Sequence, residues 1–159
     1  MKTIILYATK YGAASEIAKR IAEKMDGAAV HDLKQKPIPD LSKFDCVIIG
    51  SSLYAGMIRK EAKAFSSENV GTLREKKIGL FLSGMETSGD NEKTYFETNF
   101  PPEFLQSSKA KTLTGGIYDP KKANFFERAI FKLAAKQSAY SDKIDDDKIT
   151  RFAAEMKGI

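Results

Sequence analysis

Hydroxyl-bearing, small and glycine residues fill the short segment between the first apolar run and the first helical pattern of the chain. Residues 3–7 favour β-structure and are apolar enough for a strand buried on both faces. Beyond residue 15, apolar side chains recur at helical spacing. A strand that turns directly into a helix leaves unpaired backbone N–H groups at the positive end of the helix dipole. The loop of residues 9–14 is therefore predicted to bind a phosphate, although an ordinary turn capped by Ser15 fits the same residues.

Two further apolar runs, residues 44–50 and 77–83, each end in a loop of small and polar residues. About five strands alternate with helices along the chain, which indicates a parallel sheet covered by helices on both faces. In the strand order 2-1-3-4-5, ligands bind beyond the carboxyl ends of the first and third strands. We therefore predict that the three loops meet there and that the second and third enclose a flat ring, with Tyr54 stacking on it. A phosphate and a flat ring together indicate FMN.

The remaining pattern predicts a short strand at residues 27–33, a last strand at 111–118, and helices at 59–69, 91–100, 103–108, 124–137 and 146–157. Residues 1–159 carry no repeat and no linker, so we expect a single domain. Cys46 lies in an apolar run and is expected to be a buried packing thiol. His31 falls on a peripheral strand, and no metal site is expected.

Other phosphate-binding classes are excluded by residue type. The chain has no Gly-x-x-x-x-Gly-Lys-Ser/Thr motif, and its first loop lacks the three glycines of a dinucleotide fingerprint. A phospho-receiver domain would need acidic residues where Tyr7, Ala8, Gly50 and Ser51 stand.

The segment Thr9-Lys10-Tyr11-Gly12-Ala13-Ala14-Ser15-Glu16 resembles the flavodoxin phosphate loop, which typically reads Ser/Thr-x-x-Gly-x-Thr. Segments 50–56, 115–120, 125–128 and 141–146 are similar to the flavodoxin-domain branch that contains the menaquinone-dependent protoporphyrinogen dehydrogenases. This resemblance implies an α/β flavodoxin-like three-layer sandwich with a five-stranded parallel sheet. It also implies an FMN site made of Thr9, Lys10, Tyr11, Gly12, Ala13, Ala14, Ser15, Ser51, Ser52, Leu53, Tyr54, Ala55, Gly56, Ser83, Gly84 and Met85.

Ala14 stands where the family has a threonine, which removes one hydroxyl donor to the phosphate. The adjacent Ser15 is either a substitute donor or only a helix cap. The loss of one such hydrogen bond costs on the order of 1 kcal/mol and weakens FMN binding without abolishing it. We expect backbone amides, rather than a charged clamp, to hold the phosphate.

Two classes of function fit the sequence. One is an FMN oxidoreductase of the protoporphyrinogen dehydrogenase type that passes electrons to a quinone; its catalytic residues are unknown. The other is a flavodoxin-like shuttle between redox protein partners. The net charge of +5 favours the first modestly, because shuttles of this family tend to be acidic.

Seven cations lie between residues 109 and 136, and the predicted helix 124–137 adds a stripe of apolar residues. That helix could rest on an anionic membrane, receive the propionates of a porphyrinogen, or pack its apolar stripe on the sheet. No motif supports a nucleic-acid partner. The absence of a signal peptide and of a spanning segment leads us to expect a cytoplasmic protein, with a peripheral contact at the inner face of the membrane as one option.

Overall fold

Five parallel strands form the centre of the computed structural model, which describes residues 1–85, 89–134 and 139–159. Their order is β2-β1-β3-β5-β6. The bounds are β1 Thr3–Ala8, β2 Ala29–Asp32, β3 Cys46–Tyr54, β5 Lys77–Ser83 and β6 Ser108–Leu113. Counted along the chain without the short hairpin strand β4, this is the predicted order 2-1-3-4-5. The predicted α/β class is confirmed.

Helices cover both faces of this sheet. On one face lie α1 Ala13–Lys24 and α7 Asp146–Lys157; on the other lie α2 Lys60–Glu68, α3 Val70–Leu73, α4 Gly89–Asn99 and α5 Pro102–Ser107. The strands are apolar on both sides because each face carries its own core. Ile5, Ile48 and Phe81 pack toward α1 and α7, whereas Leu6, Ile49 and Leu80 pack toward the opposite layer. The predicted three-layer sandwich is therefore confirmed, and Cys46 is fully buried as expected.

The first helix begins earlier than predicted. α1 begins at Ala13 after Gly12, which has φ 100° and serves as the N-cap residue. No side chain caps this helix, so the interpretation of Ser15 as the N-cap was wrong. A glycine can hold this left-handed conformation without the steric cost that a Cβ brings. The early start places Ala13 and Ala14, the last two residues of the predicted loop, in the first helical turn.

The second loop is mostly strand. β3 continues through Ser51–Ser52 to Tyr54 and pairs with β4 Met57–Ile58 in an antiparallel hairpin. Ala55 and Gly56 both have positive φ, as a tight two-residue hairpin turn requires. The predicted irregular loop at residues 51–57 is thus a hairpin that rises above the sheet.

The last predicted strand, 111–118, is also interrupted. β6 ends at Leu113, and β7 Ile117–Tyr118 pairs with β8 Ser141–Asp142 in a separate two-stranded sheet. Gly115 stands in the turn between β6 and β7, and a Cβ there would lie 2.1 Å from the carbonyl oxygen of Lys143, so the position requires a glycine.

Helix α6, Phe125–Ala134, lies outside the two covering layers. The predicted helix extends to residue 137, but residues 135–138 are outside the described ranges. Phe125, Phe126, Ile130 and Leu133 are 61–84% exposed. Packing of this apolar stripe on the sheet, one of the three alternatives from the sequence, is therefore wrong.

Within the described residues, each helix is too short or too polar to cross a membrane.

Candidate functional site

The first loop presents a set of unused backbone donors. The N–H groups of Ala13, Ala14 and Ser15 stand in the first turn of α1, where no carbonyl of a preceding turn can accept them. The Thr9 hydroxyl accepts a hydrogen bond from Gly12 N at 2.9 Å and thereby closes the turn. This arrangement is suited to bind an anion, because the donors converge at the positive end of the helix dipole.

Ammonium groups lie close to this loop, so cations as well as backbone amides are available to an anion there. Lys122 Nζ donates to the carbonyl of Tyr11 at 3.2 Å and Lys34 Nζ to that of Thr9 at 3.4 Å. Lys10 Nζ lies 3.7 Å from the centre of the Tyr54 ring. Lys122 and Lys34 are distant in the sequence and approach the loop only in the fold.

The hairpin carries Tyr54 to the same edge of the sheet. Ser52 joins the first and second loops, because its hydroxyl accepts a hydrogen bond from Lys10 N at 3.2 Å. Ser51 is fully buried, and its hydroxyl donates to the Ser52 carbonyl and accepts from Arg59 N. The Tyr54 ring is half-exposed and is covered on one face by the Lys10 ammonium.

Asn99 fixes the hairpin turn from below. Its side-chain oxygen accepts a hydrogen bond from Ile58 N at 2.9 Å, and its amide donates to the Gly56 carbonyl at 2.9 Å. The side chain is buried at the end of α4. The bond to Asn99 fixes the orientation of the Gly56 carbonyl.

The third loop closes the other side of the site. Ser83 is the last residue of β5, Gly84 and Met85 follow it, and Gly84 N donates to the Gly115 carbonyl at 3.0 Å. The cavity between the three loops has a volume of about 90 Å³. Its wall includes Leu53, Tyr54, Met85, Tyr118, Glu127 and Phe131. A larger open groove of about 890 Å³ lies between α2 and residues 33–42 and contains none of the predicted site residues.

Glu127 closes the cavity on the side of the phosphate loop. Its side chain is 5% exposed, and its two carboxylate oxygens accept hydrogen bonds from Lys10 Nζ and the Tyr11 hydroxyl. Phe131, one turn later on α6, stacks on Tyr118 with ring centres 4.5 Å apart. Together these contacts hold α6 over the three loops.

The titration behaviour of this cluster follows from its hydrogen bonds. Burial alone would raise the pKa of Glu127, but the hydrogen bonds from Lys10, Tyr11 and the backbone of Asn124 lower it to about 2. The bond to Glu127 raises the pKa of Lys10, while burial and the same carboxylate raise the pKa of Tyr11. Glu127 is therefore a carboxylate, and Lys10 an ammonium, throughout the neutral range.

The residues fit the phosphate end of FMN. The helix start has no side-chain cap, and an anion, the Glu127 carboxylate, already lies against the first loop. The space for the ring is small, because the cavity volume of about 90 Å³ is below the roughly 300–1,000 Å³ of small-molecule sites.

Nine of the predicted residues line this cavity: Lys10, Tyr11, Ala13, Ser52, Leu53, Tyr54, Ser83, Gly84 and Met85. Thr9, Gly12, Ala14 and Ser15 form the surrounding loop and helix start, Ser51 lies beneath in the core, and Ala55 and Gly56 form the hairpin turn. Sequence reasoning missed Lys122, Asn99 and Glu127. The spacing Asn124-x-x-Glu127 at a helix start is a capping signature that could have drawn attention to Glu127.

Comparisons with known proteins agree with this architecture. Over 98% of its length, the chain is 23% identical to the protoporphyrinogen IX dehydrogenase [quinone] of Escherichia coli strain K12, of which it covers 94%. The solved flavodoxin of Streptococcus pneumoniae TIGR4 superposes with a TM-score of 0.64 at 19% identity, over 99% of each chain. Oxidised flavodoxin 2 of Bacillus cereus gives a TM-score of 0.59 at 19% identity, also over 99% of each chain.

The family model of the flavodoxin domain matches residues 4–145, which include all three loops and α6. Membership of this family supports FMN as the cofactor, in agreement with the uncapped helix start and its surrounding cations. The chain belongs to the flavodoxin domain family.

Proposed function

We propose that this protein is an FMN-dependent oxidoreductase that takes electrons from a porphyrinogen and passes them to a quinone. The observation that carries this proposal is α6, a helix that covers the loop cluster and turns four large apolar side chains outward. An electron shuttle that docks on hydrophilic proteins has no need of such a face. The similarity to protoporphyrinogen IX dehydrogenase along nearly the full length of both chains supports the same reading.

The predicted site residues take distinct parts in this proposal. The backbone of residues 9–15 binds the phosphate, and Lys10 and Lys122 balance its charge. The hairpin Ser51–Gly56 and the segment Ser83–Met85 hold the ring between them, with Tyr54 on one side. Bound FMN would supply the redox chemistry, accepting electrons from one substrate and delivering them to another. Phe131 and Tyr118 exclude water from the ring side of the site.

A peripheral contact of α6 with an anionic membrane is part of this proposal. Phe126 is 76% and Leu133 84% exposed, and cations border them at Lys121, Lys122, Arg128 and Lys132. Apolar side chains flanked by cations are typical of helices that lie in the interface of an anionic bilayer. Quinones reside in the bilayer, so this contact would bring the site to its electron acceptor. The cations could also receive the propionates of a porphyrinogen.

The reaction is tested by anaerobic mixing of the FMN-loaded protein with protoporphyrinogen, followed by a menaquinone analogue, while flavin absorbance is recorded. We expect bleaching by the porphyrinogen and recovery on addition of the quinone. Each pair of electrons removed from the porphyrinogen should reduce one quinone to the quinol.

The alternative function is a flavodoxin-like carrier of electrons between protein partners. It would show no bleaching by the porphyrinogen, but rapid reduction by a flavodoxin reductase. That pair of results would contradict the oxidoreductase proposal and favour the shuttle.

A further inference from the structure

On a surface helix, charged side chains normally face solvent and apolar side chains are buried, but around Glu127 the arrangement is reversed. Glu127 is the one acidic residue of α6 and is buried, whereas Phe125, Phe126 and Ile130 of the same helix are exposed. A buried carboxylate is stable only when cations and hydrogen-bond donors compensate it. The partners of Glu127 therefore indicate what holds α6 in place.

Those partners belong to the proposed phosphate loop. Lys10 Nζ and the Tyr11 hydroxyl bind the two carboxylate oxygens, and Lys122, just before α6, bonds to the carbonyl of Tyr11. The carboxylate thus uses the side-chain donors that a phosphate in this loop would need. Two anions cannot share them without strong repulsion, because their separation would be only a few ångströms.

We propose that Glu127 competes with the phosphate of FMN for Lys10 and Tyr11, and thereby sets how strongly the site selects phosphorylated over unphosphorylated flavin. When a phosphate enters the loop, the carboxylate leaves and the first turn of α6 moves with it. Riboflavin lacks the phosphate and does not displace Glu127. This inference rests on the proposed binding of FMN in the loop.

A purely structural role for Glu127 makes a different prediction. Its N–H donates to the side chain of Asn124 at 2.9 Å, and its carboxylate accepts from Asn124 N at 3.0 Å, which is a reciprocal capping box. If Glu127 only caps α6, its replacement changes the stability of the helix and leaves the choice between the two flavins unchanged.

The test compares FMN and riboflavin affinities of the flavin-free protein by quenching of flavin fluorescence. Glu127→Gln removes the charge at nearly constant shape. Glu23→Gln is the matched control, since Glu23 is exposed on α1 about 15 Å along the helix from its start. We expect Glu127→Gln to raise the ratio of riboflavin to FMN dissociation constants at least about tenfold, through tighter FMN binding. Glu23→Gln should leave the ratio within about twofold, as expected of an exposed distant charge.

An unchanged or smaller ratio in Glu127→Gln would overturn the proposal. A smaller ratio would mean that Glu127 orients Lys10 and Tyr11 for the phosphate. Failure of the wild-type protein to bind FMN would instead refute the proposed function. Normal FMN binding with an unchanged ratio in the variant would refute this inference alone.

A second measurement uses the wild-type protein and needs no folded variant. Hydrogen exchange is followed in the peptide covering residues 119–130, in inorganic phosphate and in sodium chloride of equal ionic strength. At phosphate concentrations that compete with FMN, exchange should be faster in phosphate than in chloride. Equal exchange in the two salts would contradict displacement of Glu127.

Discussion

Gly12 is the residue on which entry of the phosphate depends most directly. Its φ of 100° is costly for a branched side chain, and a Cβ there would lie 3.5 Å from Lys122 Nζ, within the charged rim of the loop. We predict that Gly12→Val weakens FMN binding by at least about tenfold, through strain and loss of loop geometry. Gly27→Val is the control, since Gly27 also has positive φ but has open space around it at the other end of α1. Equal FMN affinity in the two variants, measured by fluorescence titration, would show that the loop assignment is wrong.

The sequence predicted the positions of some site residues and not of others. The residues of the three loops follow strands directly, so topology alone places most of them at one edge of the sheet. Lys122 and Glu127 approach the first loop from more than 100 positions away in the chain. The spacing of apolar residues in the sequence does not predict this contact, because it depends on how the segment after β7 folds back over the sheet. Ser15 was misassigned because Gly12 can begin the helix without a polar cap.

At the scale of elements, the ion pair and hydrogen bonds of Glu127 join α6 to the first loop. The Glu127 pKa of about 2 lies below the ordinary value of 4.5, so the folded state favours the charged form. The stabilisation is fully present above pH of about 5 and is lost as the pH falls toward 2. The loss amounts to at most about 3.5 kcal/mol, since the pKa is lowered from 4.5 to about 2 and one pKa unit corresponds to about 1.4 kcal/mol.

We therefore predict that acidification removes the advantage of the wild type over Glu127→Gln. The free energies of unfolding, measured with urea at several pH values between 6 and 2.5, should differ most at pH 6 and converge in acid. Parallel curves would contradict the ion pair as the source of stability. Glu23→Gln should follow the wild type throughout.

The elements themselves were largely predictable. The lengths of the apolar runs and the helical spacing gave α1, α2, β5 and α7 within a few residues, because their patterns reflect burial on the sheet. The hairpin β3–β4 was missed, since strand 3 continues through small polar residues that carry no strand signal. The sequence did not predict whether the apolar stripe of α6 is buried, because the spacing of apolar residues is the same whether a helix packs on a sheet or remains uncovered.

At the scale of the whole molecule, the charge of +5 and the exposed face of α6 act together. We predict co-sedimentation with vesicles that contain anionic lipid, weaker at high salt because the electrostatic part is screened. The double variant Phe125→Ser/Phe126→Ser should lose binding at both salt concentrations. Val30→Thr, a change at a partly exposed site on β2, should bind like the wild type. Binding that is equal for neutral vesicles, or unaffected by the double variant, would contradict the membrane contact.

The central claim is that the loop before α1 binds the phosphate of FMN. Its most direct measurement is titration of the flavin-free wild-type protein with FMN, riboflavin and FAD, followed by flavin fluorescence. We predict saturation at about one FMN per chain, with FMN bound more tightly than either of the others, because only its terminal phosphate fits the uncapped helix start. Equal affinity for riboflavin, or a preference for FAD, would contradict the account.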